Sequence, residues 1–147
     1  MPLYNIYHPV GVYTSSEKAA AFAKAIVDTY GTVIPRFYVG VLFHEIPKDD
    51  FYMGAVAKEN FVRIRADHFA RHQVGDHKDS AFGADQWMEK IEKAIAPFIR
   101  DRGFDWELHY GQTPRELWRV QGLKPPKADS EAERVWVKEN RATPFED

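Results

Sequence analysis

The chain spells one order of elements twice, and no other feature constrains its fold as strongly. Laying Pro2-Leu3-Tyr4-Asn5-Ile6 over Asn60-Phe61-Val62-Arg63-Ile64 brings the two halves into register at an offset of 58 residues. In the first half, Leu3–His8 alternates as a strand, with Leu3, Asn5 and Tyr7 on one face and Tyr4 and Ile6 on the other. Thr14-x-x-Glu17 reads as a capping box opening an alanine-rich helix. Phe22, Ile26 and Tyr30 recur there at four-residue spacing, and Gly31 stands where a C-terminal cap belongs. Phe37–Ile46 is a strand apolar on both faces at its centre, which predicts a place inside a sheet.

The second half repeats the plan. Phe61–Arg65 is a strand, and a polar, histidine-rich loop runs from about Asp67 to Ser80. A helix follows with Trp87, Met88, Ile91, Ile95, Phe98 and Ile99 on one side, and Pro97 is expected to loosen its last turn. Phe104–Tyr110 alternates cleanly as the closing strand. Between the halves, Phe51–Val56 suits a small hairpin. Beyond them, Thr113-Pro114-x-Glu116 reads as a second capping box whose short helix stops at Gly122. Pro125-Pro126 makes a stiff break, and a last helix covers about Ser130–Asn140 with Val135, Trp136 and Val137. The tail has too little apolar surface to fold alone and is expected to wrap the domain or a neighbouring subunit.

The fold class is therefore α/β (α+β): two fused βαβ repeats forming one sheet with helices on one face, plus a C-terminal helical tail. We expect a single domain over 1–147, with repeat one at about 2–56, repeat two at about 60–111 and the tail at about 112–147. Twenty basic against 22 acidic groups give a net charge of −2, and no basic arm suggests nucleic acid as a partner. The absence of cysteine excludes disulfides, thiolate zinc sites and cysteine nucleophiles. No apolar run reaches the length of a membrane span, and no basic segment precedes an apolar core at the N-terminus. The expectation is a soluble, cytoplasmic protein with no membrane partner.

Pro2 carries distinctive chemistry. Removal of Met1 would expose a secondary amine, and an α-amino group ordinarily titrates at about 7.7–8.0. Burial or nearby positive charge would lower that value and leave a base able to move a proton α to a carbonyl. At a higher value the same nitrogen is a general acid. With Met1 retained, the nitrogen is an amide and can be neither.

Pro2-Leu3-Tyr4 at the head of the doubled unit, the helix Ala21-Phe22-Ala23-Lys24-Ala25-Ile26, the strand end Phe43-His44-Glu45-Ile46-Pro47, Gly54, and Tyr110-Gly111-x-x-Pro114 together resemble the tautomerase superfamily. The similarity covers about residues 2–122 and lies with the branch that includes cis-3-chloroacrylic acid dehalogenase. It implies two fused tautomerase-type repeats, a homotrimer that mimics a hexamer, a small carboxylic-acid substrate, no cofactor, and an active site at Pro2 partly between subunits.

The resemblance also implies roles for particular positions. Two arginines that hold the substrate carboxylate fall on His68 and Arg71; a guanidinium grips a carboxylate with two parallel hydrogen bonds, whereas histidine keeps a donor and loses permanent charge. A carboxylate-contacting histidine falls on Tyr30, which equally completes the apolar stripe of its helix. A water-activating tyrosine falls on His109, with Tyr110 one residue away. A water-activating glutamate falls near Val120 or Gln121, neither of which is a base, and Glu116 reads as a capping partner. These departures favour a proline-based tautomerase acting on a 2-oxo or enol acid. The alternatives are a hydratase or dehalogenase acting on an unsaturated acid, and a non-catalytic trimeric scaffold.

Two further patterns have bland readings. Arg63 and Arg65 share a strand face, where pairing with Asp105 and Glu107 accounts for them. His68, His72 and Asp76 have metal-ligand spacing only on a helix through Gln73-Val74-Gly75, a poor helix former, so no metal is expected.

Overall fold

The computed structural model describes residues 1–68 and 83–146. Strand β1 (Leu3–Pro9) leads into helix α1 (Ser16–Thr29) and strand β2 (Gly40–Ile46). A hairpin of β3 (Tyr52–Met53) and β4 (Val56–Ala57) precedes the second unit: strand β5 (Phe61–His68), helix α2 (Ala84–Ile95) and strand β6 (Asp105–Gln112). Helix α3 (Glu131–Glu139) lies in the tail.

The main sheet has the order β2-β1-β5-β6. Each repeat forms a parallel pair, and the two pairs meet antiparallel through β1 and β5. Ile6 pairs with Ile64, the two residues that the 58-residue offset superposes. The axis relating the repeats therefore passes between them. Equivalent hydrogen bonds confirm the relation: Gly40 N–H donates to the Pro2 carbonyl at 2.9 Å, and Asp105 N–H donates to the Asn60 carbonyl at 2.9 Å.

Side-chain alternation sends Tyr4, Ile6, Val62, Ile64 and Ala66 to the helix-covered face, all fully buried. Phe22, Ile26 and Tyr30 come down from α1, and Trp87, Ile91 and Ile95 from α2, which confirms both predicted stripes. Phe22 and Phe98 stack between the two helical segments at 4.7 Å. Pro97 falls in a tight turn directly after α2, and Gly103 at φ 81° closes the next turn into β6. The other sheet face is polar and half-open. His44 and the Asn5 Oδ1 bond at 2.9 Å, Arg63 pairs with Glu107 at 3.2 Å, and Arg65 pairs with Asp67 at 3.0 Å rather than with Asp105.

Several boundaries differ from the sequence reading. The cap of α1 is Ser15, whose Oγ accepts from Lys18 N–H, while the Thr14 hydroxyl turns back to the Gly11 carbonyl. β2 starts at Gly40 because Phe37 N–H is spent on Asn140 Oδ1 and residues 36–38 form a tight turn. It is an edge strand, not an interior one, and Leu42 is 46% exposed. β5 runs on to His68, so that residue ends a strand instead of opening a loop. The helix expected from Thr113 is only one turn, Arg115–Leu117. Thr113 does not cap it: the turn starts from Pro114 with no side-chain cap bond, and Thr113 still prolongs the sheet, its N–H donating to the His68 carbonyl at 2.9 Å. Gly122 belongs to a reverse turn closed by Val120 and Leu123, and Glu116 is exposed. The last helix is as expected, capped by Ser130 and ended by Asn140 at φ 50°.

Candidate active site

The N-terminus finishes inside the protein. Pro2 is buried and tied to β2 through its carbonyl. Extending the β1 registers by one pair sets Pro2 between Val39 and His68; one more sets Met1 beside Tyr38. The half-buried Met1 side chain packs on the core. Burial pushes the Met1 amine down from 8.0 to about 3, and the charge of Glu133 acts in the opposite direction. The Met1 amine is thereby held neutral at pH 7.

Glu133 comes from the tail. Ser130 caps α3 by accepting from Glu133 N–H, and Glu133 Oε2 accepts from Asp129 N–H at 2.7 Å. Its charge also raises the Tyr38 hydroxyl, which burial already pushes well up, while Arg115 pulls the other way. Arg115 is anchored by its Nε–H on the Pro125 carbonyl at 2.6 Å. Trp136, fully buried, packs against Phe37 and Tyr38 at 5.9 Å each and donates its indole N–H to the Thr143 carbonyl. The tail thus clamps the turn beside the N-terminus. Sequence reasoning missed Tyr38, Arg115 and Glu133. One signal was present: Glu133 stands three residues before Trp136, on the face that α3 must bury.

Beside Pro2 lies a buried tyrosine cluster. The Tyr4 hydroxyl is 2.6 Å from those of both Tyr30 and Tyr110. Burial is the first cause that raises all three; Tyr110 reaches about 12 even with the hydrogen bond to Tyr4 pulling down. The His68 ring stacks on Tyr30 at 6.1 Å and meets Tyr110 edge-on at 6.2 Å. Of the expected site residues, Pro2, His68 and Tyr30 therefore share one end of the sheet. His109 does not join them. It faces the other side, across from Arg65, with Nδ1 3.9 Å from Glu107 Oε1. It lines a groove of about 360 Å³ with Tyr7, Ile46, Phe51, Arg63 and Arg65. Its neighbour Tyr110 is the one directed to the cluster. Arg71, His72 and Asp76 lie outside the described residues, and among the described residues no group of acidic or histidine side chains is placed to hold a metal. No helix among them is long and apolar enough to cross a membrane.

The arrangement is a buried N-terminus whose amine feels the charge of Glu133, with a buried tyrosine cluster at the same end of the sheet. Residues 1–141 match the Tautomerase_3 family model, described as "Putative oxalocrotonate tautomerase enzyme". No curated protein matches the chain. The crystal structure of RhCC from Rhodococcus jostii RHA1 is 41% identical, with 97% of this chain and 99% of that one covered at a TM-score of 0.87. N1, a member of the cis-3-chloroacrylic acid dehalogenase family, shares the fold at 18% identity, 93% and 96% coverage and a TM-score of 0.71. The F6 fused 4-OT, an asymmetric trimer, does so at 16% identity, 83% and 94% coverage and a TM-score of 0.63. The doubled βαβ sheet, the enclosed N-terminus and the near full-length match lead to one assignment: this chain belongs to the Tautomerase_3 family, within the tautomerase superfamily.

Proposed function

We propose that the chain is a cofactor-independent tautomerase of small 2-oxo or enol carboxylic acids, with the Pro2 nitrogen as its base once Met1 is removed. The burial of Pro2 carries this reading, because desolvation of an amine at that position favours the unprotonated form, which is free to accept a proton. The amine takes the enol O–H proton, the O–H electron pair becomes part of the C=O bond, and the C=C pair takes the proton back at Cα. Arg71 would grip the carboxylate, with His68 and Tyr30 at the same end of the sheet as Pro2. His109, on the other sheet face, could reach a substrate only from a neighbouring subunit. A homotrimer fits this scheme. β2 is an edge strand with apolar side chains on both faces, and such an edge needs covering. The fused 4-OT that shares the fold is a trimer.

Glu133 favours a second reading, water addition to an unsaturated acid, since it supplies a buried carboxylate that the family alignment of positions lacked. Ketonisation of the phenylpyruvate enol, followed by ultraviolet absorbance, tests the first reading. Protein whose intact mass shows Met1 removed should accelerate it, and Pro2→Ala should abolish the acceleration. Equal rates from both proteins would refute a proline base. Water incorporation into an unsaturated acid, without enol ketonisation, would establish the second.

A further inference from the structure

Glu133 is only 4% exposed, although carboxylates are rarely buried without a purpose for the charge. Its local bonds explain a helix start: N–H to the Ser130 cap, Oε2 to Asp129 N–H. A capping glutamate does that equally well in water; here the burial comes with the docking of α3. Trp136 sits one turn further along the same helix face and is seated against Phe37, Tyr38 and Phe145. Asn140 Oδ1 accepts from Phe37 N–H at 3.0 Å. These contacts fix α3 against the turn that the strand register sets beside Met1 and Pro2. This docking carries the Glu133 carboxylate to the same end of the sheet as the chain terminus, near enough for its charge to act on the Met1 amine.

We propose that Glu133 is the carboxylate that opposes burial at the N-terminal amine and so sets the pH at which that nitrogen passes from base to acid. The inference rests on the reading of Pro2 as the reacting amine. Glu133 acts through the amine, so it is a positioning residue. The signs are opposed: burial favours the neutral amine, and a carboxylate favours the charged one. The other groups at this end are Tyr38 before β2, Arg115 after β6, His68 at the end of β5, Tyr4 on β1, Tyr30 after α1 and Tyr110 on β6. The tyrosines of the cluster are kept neutral by burial, and the positive charge of Arg115 opposes that of Glu133. The balance between burial and Glu133 separates isomerisation, which needs the neutral nitrogen, from water addition, which needs the charged one.

The test is a titration of the Pro2 nitrogen by ¹⁵N NMR in proline-labelled protein lacking Met1, the resonance being identified by its loss in Pro2→Ala. Glu133→Gln, which keeps an oxygen for Asp129 N–H, should titrate about 1 pH unit or more below the native protein. The acidic limb of its kcat/KM profile should move down by the same amount. Ser130→Ala, which weakens the helix cap and spares the charge, should leave the amine unchanged. A folded Glu133→Gln titrating with the native protein, or Ser130→Ala moving equally far, would overturn the proposal. Should Glu133→Gln fail to fold, the native protein decides. Its Glu133 ¹³Cδ resonance should show an inflection where the amine titrates, and a flat trace there would refute the pairing. Full activity in Pro2→Ala would instead refute the reading of Pro2, while the titration still reports on Glu133.

Discussion

Removing one oxygen from Tyr4 tests whether the tyrosine cluster works as a unit. Its hydroxyl is the middle of a chain, 2.6 Å from Tyr30 on one side and Tyr110 on the other. Each neutral bond contributes about 1 kcal/mol net, and a buried hydroxyl left without a partner costs about 1–3 kcal/mol. Tyr4→Phe breaks both bonds and leaves the Tyr30 hydroxyl only Tyr110, and the Tyr110 hydroxyl only Tyr30 and Trp87, in a region where Tyr4 is fully buried and Tyr30 nearly so. We expect a loss of about 2–4 kcal/mol. Tyr30→Phe breaks one bond and leaves Tyr4 paired with Tyr110, so its cost should be about 1 kcal/mol. Converting all three to Phe leaves no cluster hydroxyl behind and should cost less than the three single changes added together. Urea unfolding followed by circular dichroism gives these values, at one protein concentration because assembly contributes to apparent stability. In melting temperature, Tyr4→Phe should fall by roughly 5–12 °C and Tyr30→Phe by roughly 2–4 °C. Tyr4→Phe within about 0.5 kcal/mol of Tyr30→Phe, or strict additivity across the set, would show that the hydroxyls are not coupled.

Tyr13 and Tyr110 are both pushed up by burial to about 12 from an ordinary 10. A phenol with a raised value keeps its proton in the folded chain while the unfolded chain gives it up, so stability should be full below pH 10 and fall between pH 10 and 12. Tyrosinate absorbance should show a late-titrating class appearing together with loss of near-ultraviolet circular dichroism; a class that titrates early, with the fold intact, would contradict this. Trp136→Ala should cost about 3–5 kcal/mol of tail docking and make the segment after residue 112 the first site of proteolysis. It should also raise the terminal amine towards its ordinary value by admitting water, and an unchanged amine would show that α3 does not enclose it.

Much of the fold was legible because local pattern and burial agree. Phe22, Ile26 and Tyr30 form the buried stripe their spacing predicts, and the offset that aligns the halves is the offset of the Ile6–Ile64 pair. Ser130 and Asn140 bound α3 because their side chains and backbone conformations suit those ends. The failures are of two physical kinds. In the first, a local signal had two possible owners: Thr14 and Ser15 both suit a cap, and Thr113 resembles one although the turn that follows starts from Pro114. In the second, the position depends on distant chain. β2 reads as interior because it is apolar on both faces, yet it ends the sheet, and no pattern within one chain shows what borders it. The site divides similarly. Pro2 was legible as chemistry, since a secondary amine at a terminus has few equivalents. Glu133 and Tyr38 were not, because 95 residues of chain separate two groups that tertiary docking alone brings together.

The duplicated fold also explains why its two ends are chemically unlike. The axis through Ile6 and Ile64 carries Pro2 onto Asn60, and the carbonyls of both residues accept equivalent bonds from the neighbouring strand. Backbone geometry therefore offers two matching positions at opposite ends of the sheet. At Asn60 the nitrogen is a mid-chain amide, whose lone pair is delocalised and not basic. At Pro2, removal of Met1 leaves an amine. The tail adds the second asymmetry: it follows both repeats yet docks on the 36–38 turn beside the N-terminus, with Trp136 and Glu133 directed there. The equivalent of that turn in the second repeat lies at residues 100–103 and is closed by Gly103 instead. The segment docked beside the N-terminus thus has no counterpart in the repeat. A variant ending at residue 128 would retain the whole sheet and both crossover helices. We expect it to keep the sheet and helix circular dichroism, to return the amine towards about 7.7–8.0, and to lose base catalysis at neutral pH in proportion to the amine that is protonated.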